Sequence, residues 1–220
     1  MHLKKEKRIE EDFVYEGDIC FNQDRQIEGN LIIKKGVLKG RNLKVEGRLK
    51  VEDEDVILSG NLEAFEVEVG NYNNIKNLIA KNVLVKKKIF VSGRLEAKES
   101  IIVGDLDKFL LEGETECKIV CGKEVIAKNI KTDGGIWVRE WIKCEALETY
   151  GDISTLGTIE AKRIWCEGDR VYAHAIRTKT IDAKGEVKCE LLEPIGKGAI
   201  IYIDIGYGYP SIRNAQRQKN

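Results

Sequence analysis

The chain is short of most of what an active site is built from. Its 220 residues hold two histidines, one methionine, two prolines and only 7% aromatic residues. No stretch approaches the ~20 consecutive apolar residues of a membrane-spanning helix, so no transmembrane segment is expected. The opening residues Met1 to Asp12 are charged and lack the apolar core of a signal peptide, and a cytoplasmic protein is therefore expected. Neither charge sign dominates. Thirty-seven basic residues balance thirty-seven acidic ones, which argues against the basic patch that nucleic-acid binding requires.

What the chain has in quantity is a repeat. Ile159-Glu160-Ala161, Ile164-Trp165-Cys166, Val171-Tyr172-Ala173, Ile176-Arg177-Thr178, Ile181-Asp182-Ala183 and Val187-Lys188-Cys189 each read aliphatic, arbitrary, small. Grouped in threes, these units share a longer period. Val125, Ile142, Ile159 and Ile176 follow one another at a constant step of 17, and so do Ile130, Leu147, Ile164 and Ile181. A third series, Ile119, Ile136, Ile153, Val171 and Val187, steps by 17, 17, 18 and 16. A coil of three short strands per turn, each stacked on its equivalent in the next turn, produces all three series at once. Earlier in the chain Leu43, Leu49, Val56, Leu62, Val67, Leu78, Val83, Ile89, Leu95 and Ile101 continue the beat less regularly. Lateral loops or imperfect corners are expected at Asn71 to Ile75 and at Leu110 to Glu116.

The expected fold is all-β: a single-stranded parallel β-helix, three-sided, with a coil period of about 17 and a right-handed course. In each triplet the first and third side chains point one way and the middle one opposite. Aliphatic and small residues then fill the interior while Lys, Glu, Arg and Asp face water. Gly17-Asp18, Gly104-Asp105, Gly151-Asp152 and Gly168-Asp169 mark corners, where glycine tolerates positive φ and aspartate makes local turn bonds. Pro194 and Pro210 fall outside the repeat, as ladder hydrogen bonding demands. Residues 1–29 are expected to form an N-terminal cap or arm, residues 30–193 the β-helix, and residues 194–220 a capping strand and polar tail. From Leu31 to Val187 about nine coils follow, a rod of about 45 Å at ~4.8 Å per strand.

Candidates for chemistry are few. His174 is the one histidine inside the repeat and reads as an exposed corner residue. Cys121, Cys144, Cys166 and Cys189 stand at inward small positions and read as buried thiols, small hydrophobes in effect, with ligands or a disulfide ladder as the alternatives. Cys117 and Cys121 have three residues between them, not the two of a zinc knuckle. The acidic run Glu52-Asp53-Glu54-Asp55 reads as a solvated loop. Gly196-Lys197-Gly198 lacks the spacing and the following Ser or Thr of a phosphate loop. No catalytic residue, cofactor or metal is expected.

One surface feature stands out. The middle residues of every third strand, counted along the chain, include Leu84, Ile102, Val120, Trp137 and Tyr172. Stacked in one row they would form an apolar stripe, a common mark of an interaction site. Its occupant would be a partner protein, a second copy, or the chain's own terminal segments. A β-helix also leaves an open edge at each end. Ile200, Ile201, Tyr202 and Ile203 read as either a capping strand or an end-on polymerisation edge.

The Gly-Asp corners, a coil of this period and the aliphatic-x-small strands, over residues 30 to 190, resemble the bactofilins. These are bacterial polymer-forming cytoskeletal proteins with a right-handed three-sided β-helix. The resemblance implies nucleotide-independent assembly of rods joined end to end. The expected function is accordingly a non-enzymatic scaffold that associates with itself. The alternative is a non-polymerising module, of phage, mobile-element or immunity type, that docks another protein on its apolar face. A carbohydrate-active or transferase enzyme ranks third.

Overall fold

The aliphatic-x-small triplets form the strands of a parallel β-solenoid with ~17 residues per turn and about 10 turns. A computed structural model describes residues 12–52, 54–70, 72–104, 117–196 and 200–203. Within them there is no helix, and every strand pairing recorded is parallel.

Three columns of residues in main-chain register run along the rod. On the first face Phe13, Leu31, Leu49, Val67, Val83, Ile101, Ile130, Leu147, Ile164, Ile181 and Ile201 lie in successive register. On the second, Ile19, Leu38, Val56, Asn73, Ile89, Ile119, Ile136, Ile153, Val171 and Val187 do the same. The third carries Arg25, Leu43, Leu62, Leu78, Leu95, Val125, Ile142, Ile159, Ile176 and Leu192. The three periodic series of the sequence are thus three faces of one coil. Their aliphatic members are buried along most of the rod, each worth about 1.5–3 kcal/mol of transfer free energy.

The third position of each triplet meets a corner, which explains its small residues. Thr149 Oγ1 donates to the Gly134 carbonyl at 2.7 Å, and Thr178 Oγ1 to the Thr180 carbonyl at 2.8 Å. The Cys121 thiol donates to the Gly93 carbonyl at 3.0 Å. A short hydroxyl or thiol there satisfies a corner carbonyl that is turned away from water. Alanine leaves room for the turn itself.

In-register stacking places equivalent outward residues about 4.8 Å apart, so like charges in one row repel. The rows alternate in sign at several rungs instead. On the third face Lys143 reaches Glu160 at 3.1 Å and Arg177 reaches Glu193 at 2.6 Å. Lys131 meets Glu148 at 2.6 Å on the first face. Each exposed pair is worth little alone, but a slip of one rung would bring like charges together.

Several expectations need correction. Residues 12–27, expected within a separate cap or arm, form the first coil. Asp12–Glu16, Ile19–Phe21 and Arg25–Ile27 pair in register with the strands of the second coil. This coil escaped the periodicity because Arg25 stands in an aliphatic slot and Phe13 and Phe21 replace the usual side chains. No lateral loop interrupts residues 72–75. The main chain of Asn73 lies in register between Val56 and Ile89, and the ladder continues through it. Pro194 belongs to the last strand of the third face, in register with Thr178. The distortion expected at Leu110 to Glu116 lies outside the described residues. The register fixes its consequence all the same: Ile101 stacks on Ile130, much farther along the chain than one ordinary coil.

Glycine and aspartate at the corners also act differently than expected. Gly17 and Gly104 have positive φ, at 106° and 115°, but Gly151 and Gly168 do not. At two of these corners the aspartate side chain bonds the next coil. Asp18 Oδ1 accepts from the Val37 amide at 2.8 Å and Asp152 Oδ1 from the Arg170 amide at 3.0 Å. A similar ladder occupies the corner before the third face. The Asn42 side chain accepts from the Asn61 amide at 2.8 Å, and Asn77 accepts from the Arg94 amide at 2.8 Å. The side-chain amide of Asn77 also donates to Asn61 Oδ1 at 2.7 Å.

Candidate functional site

The apolar row assembled from the sequence is two partial rows on different faces. Leu84 and Ile102 stack on the first face, with Lys131 next above them. Val120, Trp137 and Tyr172 lie on the second face, in the column Ile57, Asn74, Phe90, Val120, Trp137, Ser154, Tyr172. The cause is arithmetic in the chain. By number Val120 follows Ile102 by the length of one coil. Ile101, however, stacks on Ile130 and Ile89 on Ile119, so between Ile102 and Val120 the chain passes only from the first face to the second.

The corrected second-face row gains Phe90, which the sequence reading missed. Its signal was present: Ile89-Phe90-Val91 is an aliphatic-x-aliphatic triplet with an aromatic in the outward place. The outward row from Ile57 to Tyr172 contains no charged residue; Lys39 and Lys188 bound it. Tyr172 is 48% exposed and Ile57 38%, while Phe90, Val120 and Trp137 are half-buried by their neighbours. The other two faces carry the alternating ion pairs. Trp165, on the first face, is held edge-to-face against Tyr150 at 4.9 Å between centroids.

His174 is an exposed corner residue, and its Nδ1 lies 3.1 Å from Glu190 Oε2. Within the acidic run, Glu52 pairs with Lys50 at 3.2 Å and the Asp55 carbonyl accepts the Leu38 amide, while Asp53 lies outside the described residues. Gly196 has a φ of 82°, and Lys197 and Gly198 lie outside the described residues. Among the described residues no cluster of His, Cys, Asp and Glu has the makings of a metal site. A shallow groove over the third face runs past Ala127, Cys144 and Ala161. Its rim is already engaged in ion pairs, Lys128 with Glu99 at 2.8 Å and Lys162 with Glu145 at 3.2 Å. The main-chain course of Ile200, Ile201, Tyr202 and Ile203 adds a further rung to the first face, in register with Thr180–Ala183. Their side chains lie outside the described residues.

The four inward cysteines are dispersed. Cys121 and Cys189 share the second face but are separated by Val138, Thr155 and Ala173. Cys144 is on the third face and Cys166 on the first. None stacks on another. Burial pushes the Cys121 thiol up to about 11 and the Cys166 thiol up to about 12, from an ordinary 9.0. Both keep their protons in the folded chain while the unfolded chain loses them above pH 9. Stability should therefore fall as pH rises from about 9, through Cys121 until about pH 11 and through Cys166 until about pH 12, by about 1.4 kcal/mol per pH unit for each thiol within its window. Replacing Cys166 with alanine should flatten that slope in urea titrations. At pH 8, iodoacetamide should label the exposed Cys20 in native protein and reach Cys121 and Cys166 only after denaturation, as read by peptide mass mapping.

No protein-family model, curated protein or solved structure matches this chain.

Proposed function

We propose that the protein is a non-enzymatic scaffold whose rods associate with one another end to end, in the manner of the bactofilins that its repeat resembles. The observation that supports this reading is the state of the two end coils. In the first, the core-slot residues Phe13 and Tyr15 are 40% and 46% exposed, because no rung lies beneath them among the described residues. In the last, Val187 and Leu192 are only half-buried against the core. The strands of both ends run in the same direction, so the upper edge of one rod continues as the lower edge of the next by translation along the axis. Such a head-to-tail joint does not close on itself and yields filaments.

One device works against unlimited growth. Ile195 donates its amide back to Thr178 at 2.8 Å. By the alternation of a strand, the preceding residue would donate forward to the next coil. That residue is Pro194, which has no amide hydrogen. A joint would rest on the first and second faces.

Negative-stain microscopy of the purified chain, with sedimentation at several salt concentrations, tests the reading. Filaments of single-rod width, persisting at high salt as an apolar joint requires, are expected. Phe13→Glu together with Ile19→Glu should reduce them to short uniform particles. Uniform particles from the unaltered chain at all salt concentrations would refute end-to-end assembly.

A further inference from the structure

The uncharged row on the second face holds its aromatics at a fixed interval. Phe90, Trp137 and Tyr172 occupy every second rung, with Val120 and Ser154 on the rungs between. At about 4.8 Å per rung the aromatics recur every ~9.6 Å along the rod. An extended β-1,4-linked glycan has a matching repeat. Each pyranose ring advances the chain by about one inter-strand spacing, and successive rings turn over, so the same apolar C–H face returns on every second ring. Aromatic rings receive such faces by stacking.

We propose that this face binds a neutral, extended β-1,4-linked polysaccharide laid along the rod axis, with Phe90, Trp137 and Tyr172 each under alternate sugars. Charge supports that choice. From Ile57 to Tyr172 the row has neither a cation for an acidic polymer nor an anion for a basic one, in a chain that is 34% charged. The small residues on the intervening rungs leave room for the ring that turns its other face. Polar side chains edge the row, including the Asp152–Arg170 pair on one side and exposed His174 on the other, as partners for sugar hydroxyls. Such a site depends on the stacking of coils and not on end-to-end assembly, so it stands or falls separately from the scaffold reading.

Affinity electrophoresis in gels containing hydroxyethyl cellulose, with dextran gels as the control, provides the test. Retardation by the β-1,4 polymer alone is expected, with quenching of tryptophan fluorescence by cellohexaose or chitohexaose but not by maltohexaose. Trp137→Ala should weaken binding at least tenfold. Trp165→Ala, on the first face, should leave it unchanged, with circular dichroism confirming that both variants are folded. Equal mobility in both gels would overturn the proposal, and so would equal losses in the two variants. A doubled mass in light scattering that Trp137→Glu returns to one chain, without retardation by the polymer, would assign the face to a second copy instead.

Discussion

Replacing Ile159 by aspartate should leave the chain unable to fold, with loss of the β-sheet circular dichroism signal at room temperature. Ile159 has no exposure to solvent and lies between Ile142 and Ile176, both equally enclosed. Truncation to alanine at such a site costs about 2–5 kcal/mol through lost transfer energy and the cavity left behind. A carboxylate adds the desolvation of a charge that has only aliphatic side chains above and below it. A domain has about 5–15 kcal/mol in total. The effect is expected to spread, since each coil contacts only its neighbours and a broken coil leaves two open ends. The control is Ile57→Asp, an outward position 38% exposed with Lys39 on the rung below. It should change stability by no more than about 0.5 kcal/mol. Comparable losses at both positions would contradict the inward-outward assignment of the triplets.

The second large effect is expected at Gly168, on replacement by valine. A Cβ there would fall on the carbonyl group of Gly151 and the amide nitrogen of Asp152, which are main-chain atoms of the coil below. A flexible side chain can swing away from such a contact; a ladder of hydrogen-bonded backbone cannot move without opening the joint between coils. Overpacking in a rigid interior costs about 1–3 kcal/mol and sometimes more, and valine adds two methyl groups to the clash. Gly17 offers the contrast. Its φ is 106°, but no atom lies within 4 Å of the place its Cβ would take. Gly17→Ala should therefore cost about 1–2 kcal/mol of local strain alone, a modest shift in the urea midpoint. If Gly168→Val unfolded at the same urea concentration as the unaltered chain, close stacking at this corner would not be what holds glycine there.

The period of 17, the three series of aliphatics and the alternation of inward and outward residues were all legible in the sequence. Each records something local: a strand has a two-residue repeat, and a core slot that stays dry selects an aliphatic side chain nearly every time the chain returns to it. The small residue of the triplet was equally legible as inward, though its use as a donor to corner carbonyls, by Thr149, Thr178 and Cys121, needed the corners themselves.

Tertiary structure alone decided which strand lies over which. Counting along the chain assumes a constant coil length, and the stacking of Ile130 on Ile101 and of Ile119 on Ile89 breaks that assumption, placing Val120 on a face that does not hold Ile102. That is why Phe90 joins Trp137 and Tyr172 in one row and Leu84 does not. The reasons for glycine at Gly168, and for aspartate at Asp18 and Asp152, were hidden in the same way, because their partners are adjacent in space yet a full coil away in sequence. Pattern in a chain reports what each residue faces. Only the stacked coils report what it touches.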